Sequence, residues 1–114
     1  MTDVFDRQEL LEELDGDREF LEESLDMLDA DAPTLIDQIR TGIDVNDAEK
    51  IRIAAHTIKS MVGNFCATPA FEAALKVETI GQSGELAECG AGLQSLEDEV
   101  NRLRRELRNF LAEL

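Results

Sequence analysis

A chain of 114 residues, 43% of them hydrophobic and none of them Trp or Tyr, can build one small core and no more. Its 26 acids against 11 bases leave a formal charge of −15, which repels nucleic acid and anionic membranes and points to protein partners offering a basic or apolar patch. No apolar run nears the ~20 residues of a membrane span, no basic-then-apolar signal segment opens the chain, and Cys66 and Cys89 have neither CxxC nor disulfide-rich spacing. The expectation is a single domain over residues 1–114, cytoplasmic, with reduced, buried and inert thiols.

In chain order, residues 3–14 read as a short amphipathic helix carrying Val4, Phe5, Leu10, Leu11 and Leu14, broken by Asp15-Gly16-Asp17. Asp17 can cap the second helix, since its carboxylate accepts free N–H groups of the first turn. That helix places Leu21, Leu25, Leu28, Ala32, Leu35/Ile36 and Ile39 on one stripe. Pro33 lacks an N–H and crowds the carbonyl of Asp29, so a kink or short break is expected there, with the stripe running on to about Thr41 and Gly42 ending it. The acidic run across Glu9–Asp31 reads as a solvated face.

Asn46 or Asp47 starts a third helix that runs to about Asn64. Thr68-Pro69 opens a fourth, with a hydroxyl cap and proline at the first helical position, and Gly81 ends it. Gly81-Gln82-Ser83-Gly84 is a tight polar turn. The last helix begins near Glu85 and repeats Leu86, Leu93, Val100, Leu107 and Leu114 as a heptad, with Cys89, Leu96, Leu103 and Phe110 between them. Four long helices and short turns imply an all-α, antiparallel up-down-up-down four-helix bundle with a short N-terminal capping helix. The heptad also admits a dimeric coiled coil. The stripes of the earlier helices need partners too, so the bundle is the preferred reading and a monomer the expectation.

The sole histidine, His56, lies in the third helix, whose apolar stripe is Ile51, Ala54/Ala55, Ile58, Met61/Val62 and Phe65. At about 100° per residue His56 projects roughly 150° from the centre of that stripe. Lys59, Ser60 and Gly63 share its face, and Arg52 lies one turn before it. An outward imidazole beside cations and small residues suits phosphoryl chemistry at a docking surface.

Ala55-His56-Thr57-Ile58-Lys59 resembles the signature of histidine-containing phosphotransfer (HPt) domains, Ala-His-x-Leu-Lys-Gly. Here Ile58 replaces the leucine, Ser60 the glycine, and Gly63 supplies the small position seven after the histidine. Cys66 stands where the family often has a further glycine. The resemblance extends through the acidic Leu-rich helix ending in Asp29-Ala30-Asp31-Ala32-Pro33 to Val77-Glu78 and the Gly81–Gly84 turn. It implies a phosphoryl carrier that accepts phosphate on Nε2 of His56 from a receiver-domain aspartyl phosphate and passes it to another receiver aspartate, with no nucleotide site of its own. The partners it implies are response-regulator receiver domains and a hybrid histidine kinase. A related expectation is the histidine-bearing domain of chemotaxis-type kinases.

The residue chemistry is consistent with this. Imidazole is nucleophilic near neutrality, its unperturbed pKa being ~6.5. A carboxylate accepting one ring N–H fixes the tautomer and frees the other nitrogen. Glu78 is the candidate: it sits in the apolar arc of Phe71, Ala74 and Leu75, where an acid needs a reason to be, at the separation from His56 where the family places a Glu or Gln. Lys59 can neutralise phosphate oxygens, with Arg52 in support. Ser60 and Gly63 keep the surface low for in-line approach. Phe20, Met27 and Ile53 are candidate receiver-docking residues. No cofactor and no metal site is expected, since only scattered carboxylates accompany His56 and no glycine-rich phosphate loop is present. The competing function is a helical adaptor or inhibitor that binds a kinase or receiver without carrying phosphate.

Overall fold

A computed structural model describes residues 3–114 as all-helical, with no strand among them. Its elements are α1 (Arg7–Leu14), α2 (Arg18–Asp44), α3 (Ala48–Gly63), α4 (Thr68–Ser83), one 3-10 turn (Leu86–Glu88) and α5 (Cys89–Glu113). The four long helices close a ring in which α2 meets α3, α3 meets α4, α4 meets α5 and α5 returns to α2. The stripes anticipated from sequence fill the centre: Leu25, Leu28, Ile39, Ile51, Ile58, Val62, Val77, Leu96, Leu103 and Leu107 are all sealed from solvent. Each such side chain contributes about 1.5–3 kcal/mol relative to leaving it exposed.

Several boundaries differ from the sequence reading, each for a visible reason. Helix α1 begins at Arg7, not residue 3, because the Asp6 carboxylate accepts the Glu9 N–H at 3.0 Å and starts the helix there. Phe5 precedes the helix and packs edge-to-face on Phe110, ring centroids 5.3 Å apart. Leu11, expected on the apolar side, is exposed. Helix α2 runs unbroken through Pro33 and past Gly42 to Asp44. Burial of Leu28, Ala32 and Ile36 around the proline offsets the ~3 kcal/mol that an interior proline costs. Gly42 is no terminator: a Cβ there would stand 2.7 Å from Ile51 Cγ1, so it is where α2 and α3 approach closely.

The Asp47 carboxylate caps α3 by accepting the Lys50 N–H at 3.1 Å. Helix α4 has Ala67 at its N-cap position and no side-chain cap: Thr68, expected to cap it through its hydroxyl, is already the first helical residue, and the helix continues through Gly81 to a left-handed Gly84 at φ 75°. In α5 the heptad stripe, Leu93 through Phe110, is spent inside its own bundle, which removes the reason for a coiled-coil partner, while Leu114 is exposed and Leu86 belongs to the 3-10 turn. No helix among the described residues is long and apolar enough to cross a membrane.

Candidate functional site

The site lies on the seam between α3 and α4, and one glycine sets that seam. A Cβ at Gly81 would stand 2.9 Å from the Arg52 backbone N and 3.1 Å from the Ala48 carbonyl O, so only glycine lets the end of α4 touch the start of α3. From that contact the antiparallel register pairs successive turns: Arg52 with Gly81, His56 with Glu78, and Gly63 with Phe71. The fourth helix therefore delivers a carboxylate to the histidine as a consequence of backbone packing.

Glu78 is 5% exposed and is the one buried charged residue among those described. Its two oxygens are divided. Oε2 meets His56 Nδ1 at 2.6 Å, and Oε1 accepts from Lys59 Nζ at 2.7 Å. The hydrogen bond from Lys59 is the largest influence on Glu78; burial opposes it, the bond to His56 adds to it, and the net result holds the carboxyl below its ordinary range. An ionised carboxylate only accepts, so Nδ1 carries the hydrogen, and in the neutral ring that leaves Nε2 as the nitrogen with the free lone pair. Nε2 has no protein partner among the described residues, and the ring is 56% exposed. What this arrangement can do is present one solvent-reachable ring nitrogen, Nε2, in a fixed orientation.

Lys59, expected to neutralise phosphate oxygens, is engaged within the site itself. Its side chain is mostly covered, its ammonium is bonded to Glu78, and it lies 5.9 Å from the centre of the Phe71 ring. Arg52 is occupied too, by Glu49 on its own helix. Ser60 is exposed and its hydroxyl donates to the His56 carbonyl O at 3.2 Å, which keeps it flat against the helix. Gly63 is exposed one turn further on, and Ile53, Phe20 and Met27 are exposed as well. Phe20 and Met27 lie on α2 beside the C-terminal end of α3, bordering Asn64 and Phe65 rather than His56, Lys59 or Glu78.

Two contributors escaped sequence reasoning. Phe71 was read only as part of an apolar arc, yet it is partly exposed and walls the Lys59 ammonium. Gly81 was read as a stop signal; three residues after Glu78 it faces the same way, which was the available hint. Elsewhere, Glu9, Glu13 and Cys66 bring potential metal-ligand atoms within 4.8 Å of one another. Burial, then the charges of Glu13 and Glu9, push the half-buried Cys66 thiol up to about 12, and it donates to Glu13 at 3.6 Å. Without a cation beside it, Cys66 presents an S–H rather than a thiolate.

The model of a family described as Hpt domain matches residues 23–106. The crystal structure of histidine-containing phosphotransfer protein B (HptB) from Pseudomonas aeruginosa PAO1 has the same fold, with a TM-score of 0.88 over 100% of this chain and 99% of that one at 19% identity. No curated protein matches the sequence.

Proposed function

This chain belongs to the Hpt domain family, whose members are phosphocarriers of two-component signalling, and on that premise we propose that His56 Nε2 is its phosphoryl acceptor. In this reading Nε2 attacks the phosphorus of a receiver's aspartyl phosphate. The Nε2–P bond forms, the P–O bond to the aspartate breaks, and the aspartate leaves as a carboxylate. The ring becomes cationic as the bond forms, with its hydrogen still on Nδ1, and the Glu78 carboxylate 2.6 Å away offsets that charge. Passing phosphate to a second receiver aspartate reverses these bond changes. Lys59 keeps Glu78 ionised through Oε1 and places positive charge one turn from the phosphate. The carrier is one domain, monomeric and cytoplasmic; it uses no nucleotide, cofactor or metal of its own and meets receiver domains and a hybrid kinase rather than nucleic acid or membrane.

The observation that carries this reading is the 2.6 Å His56–Glu78 bond beneath a half-exposed ring. Incubation with a phosphorylated receiver domain tests it. Wild type is expected to acquire an acid-labile label that His56→Gln does not. Equal labelling of the variant would overturn the assignment, and receiver binding without any label would favour the adaptor function.

A further inference from the structure

A lysine on the outward face of a helix is ordinarily hydrated and mobile, and its ammonium exchanges carboxylate for water readily. Lys59 is held instead. Its side chain is only 20% exposed, and its ammonium sits between two groups of α4: Glu78 Oε1 at 2.7 Å and the Phe71 ring, whose centre is 5.9 Å away. Phe71 precedes Glu78 by seven residues, two turns of one helix, so a single face of α4 supplies both.

Phe71 is 36% exposed, so burial in the core is not what fixes it. Its helix neighbours Ala70 and Ala74 turn into the core, while the Phe71 ring leans across the seam onto α3. Its seat there is Gly63. A Cβ at Gly63 would stand 3.5 Å from the ring Cδ2 and 3.7 Å from Cε2, the separation of packed atoms, so bare backbone lies under the ring and a side chain longer than a methyl would compete with it. Lys59 lies one turn before Gly63 on α3, so the seated ring is brought against the ammonium. An aromatic face attracts a cation and excludes water from that side of it.

These contacts reach the histidine in sequence. With carbon covering one side of the ammonium, its hydrogen bond to Glu78 Oε1 meets less competition from water. Both oxygens belong to one planar carboxylate, whose last torsion is otherwise loose. Anchoring Oε1 therefore fixes where Oε2 meets His56 Nδ1, at 2.6 Å.

We propose that Phe71 is a positioning residue for phosphotransfer: seated on Gly63, its ring holds Lys59 on Glu78 and thereby holds the His56 ring for attack. The proposal rests on the carrier reading above. Phe71 acts through Lys59 and not on the reacting atoms. Gly63 then has a second task beside the low surface it offers a receiver.

The test compares Phe71→Leu, which keeps apolar bulk and removes the aromatic face, with Phe71→Tyr, which keeps the ring. Labelling is driven by a phosphorylated receiver domain and, separately, by phosphoramidate, a donor too small to need a docking surface. Phe71→Leu is expected to slow both by about two- to fivefold, the size of one partly exposed cation–π contact, and Phe71→Tyr to restore most of the rate. The Lys59 ammonium resonance, kept visible in wild type by slow proton exchange, should vanish in Phe71→Leu, and the nitrogen shifts of the His56 ring should move toward the Nε2–H form. In a Lys59→Ala background, Phe71→Leu should slow the remaining labelling no further, because the ring has no ammonium left to hold. A Phe71→Leu rate equal to wild type, a loss that persists in full without Lys59, or a loss with the receiver alone would overturn the positioning role while leaving the carrier reading intact. A wild-type chain labelled by neither donor would overturn both.

Discussion

Two carboxylates in this bundle are wired alike and do different things. Glu78 on α4 divides its oxygens between His56 and Lys59 of α3. Asp29 on α2 divides its own between Arg104 and Arg108 of α5, with Arg104 Nε donating at 2.6 Å. Each pins neighbouring helices, and each is held below the ordinary carboxylate range. For Glu78 the Lys59 hydrogen bond is the largest influence, whereas for Asp29 burial pushes upward most strongly and the bonds from Arg104 and Arg108 together outweigh it. They differ in burial, the Glu78 side chain being 6% exposed against 33% for Asp29, and in partners. Two guanidiniums are permanent cations with nothing left to give. An imidazole with one nitrogen engaged has a second free to react. A bridging carboxylate thus marks a reactive centre only where one partner has chemistry in reserve.

The sharpest way to break the comparison is to remove each carboxylate and measure phosphotransfer. Glu78→Ala frees the His56 ring and tautomer, and slowing by the order of 10- to 100-fold is expected. The nitrogen chemical shifts of the ring should move toward the Nε2–H form. An unchanged rate and unchanged shifts would show the Glu78 bond to be merely structural. Next in size, Gly81→Ala forces α4 off the Arg52 backbone, and a loss of about 1–3 kcal/mol by urea unfolding is expected, with slower transfer because the Glu78 register shifts. Stability lost without any change in rate would uncouple the helix seam from the site. Acid gives a smaller contrast. Folding lowers the Glu78 pKa, so its ionisation adds stability above the ordinary range, lost as pH falls through the lowered value. Wild-type stability should therefore drop on acidification below about pH 4.5, and Glu78→Gln should drop less over the same interval. Parallel curves would contradict the shift.

The fold was legible because burial repeats at helical spacing: α2, α3 and α5 announce themselves through Leu25–Leu28–Ala32, Ile51–Ala55–Ile58 and Leu96–Val100–Leu103. The ends of α2 and α4 were not. Gly42 and Gly81 carry the composition of helix stops, and only tertiary contact with Ile51 and Arg52 reveals them as approach points. Pro33 misled in the same way, since a local rule yielded to the burial around it. At the site, an acid inside an apolar arc, together with the separation from His56 at which the resembled family places a Glu or Gln, singled out Glu78. That Glu78 also takes the Lys59 ammonium depends on which of two neighbours three residues apart reaches each oxygen, and no periodicity encodes that. The Asp29–Arg104–Arg108 cluster was invisible for a related reason: 75 residues separate Asp29 from its first partner, and exposed acids and arginines form no pattern at that distance.

The smallest effect belongs to that cluster, and it limits how far the likeness of the two carboxylates reaches. Asp29→Ala leaves Arg104 and Arg108 with side chains still 30% and 46% exposed, so water can replace the lost oxygens. A loss below about 1 kcal/mol is expected by urea unfolding, shrinking further with added salt, and phosphotransfer should be unchanged. Asp29 also lies one turn before Pro33, which leaves its carbonyl without the usual helical donor, so the substitution falls where α2 lacks one backbone hydrogen bond. A loss of 3 kcal/mol or more would place Asp29 with buried, uncompensated pairs. The distinction would then rest on the imidazole alone, and burial would no longer separate the reactive carboxylate from the structural one.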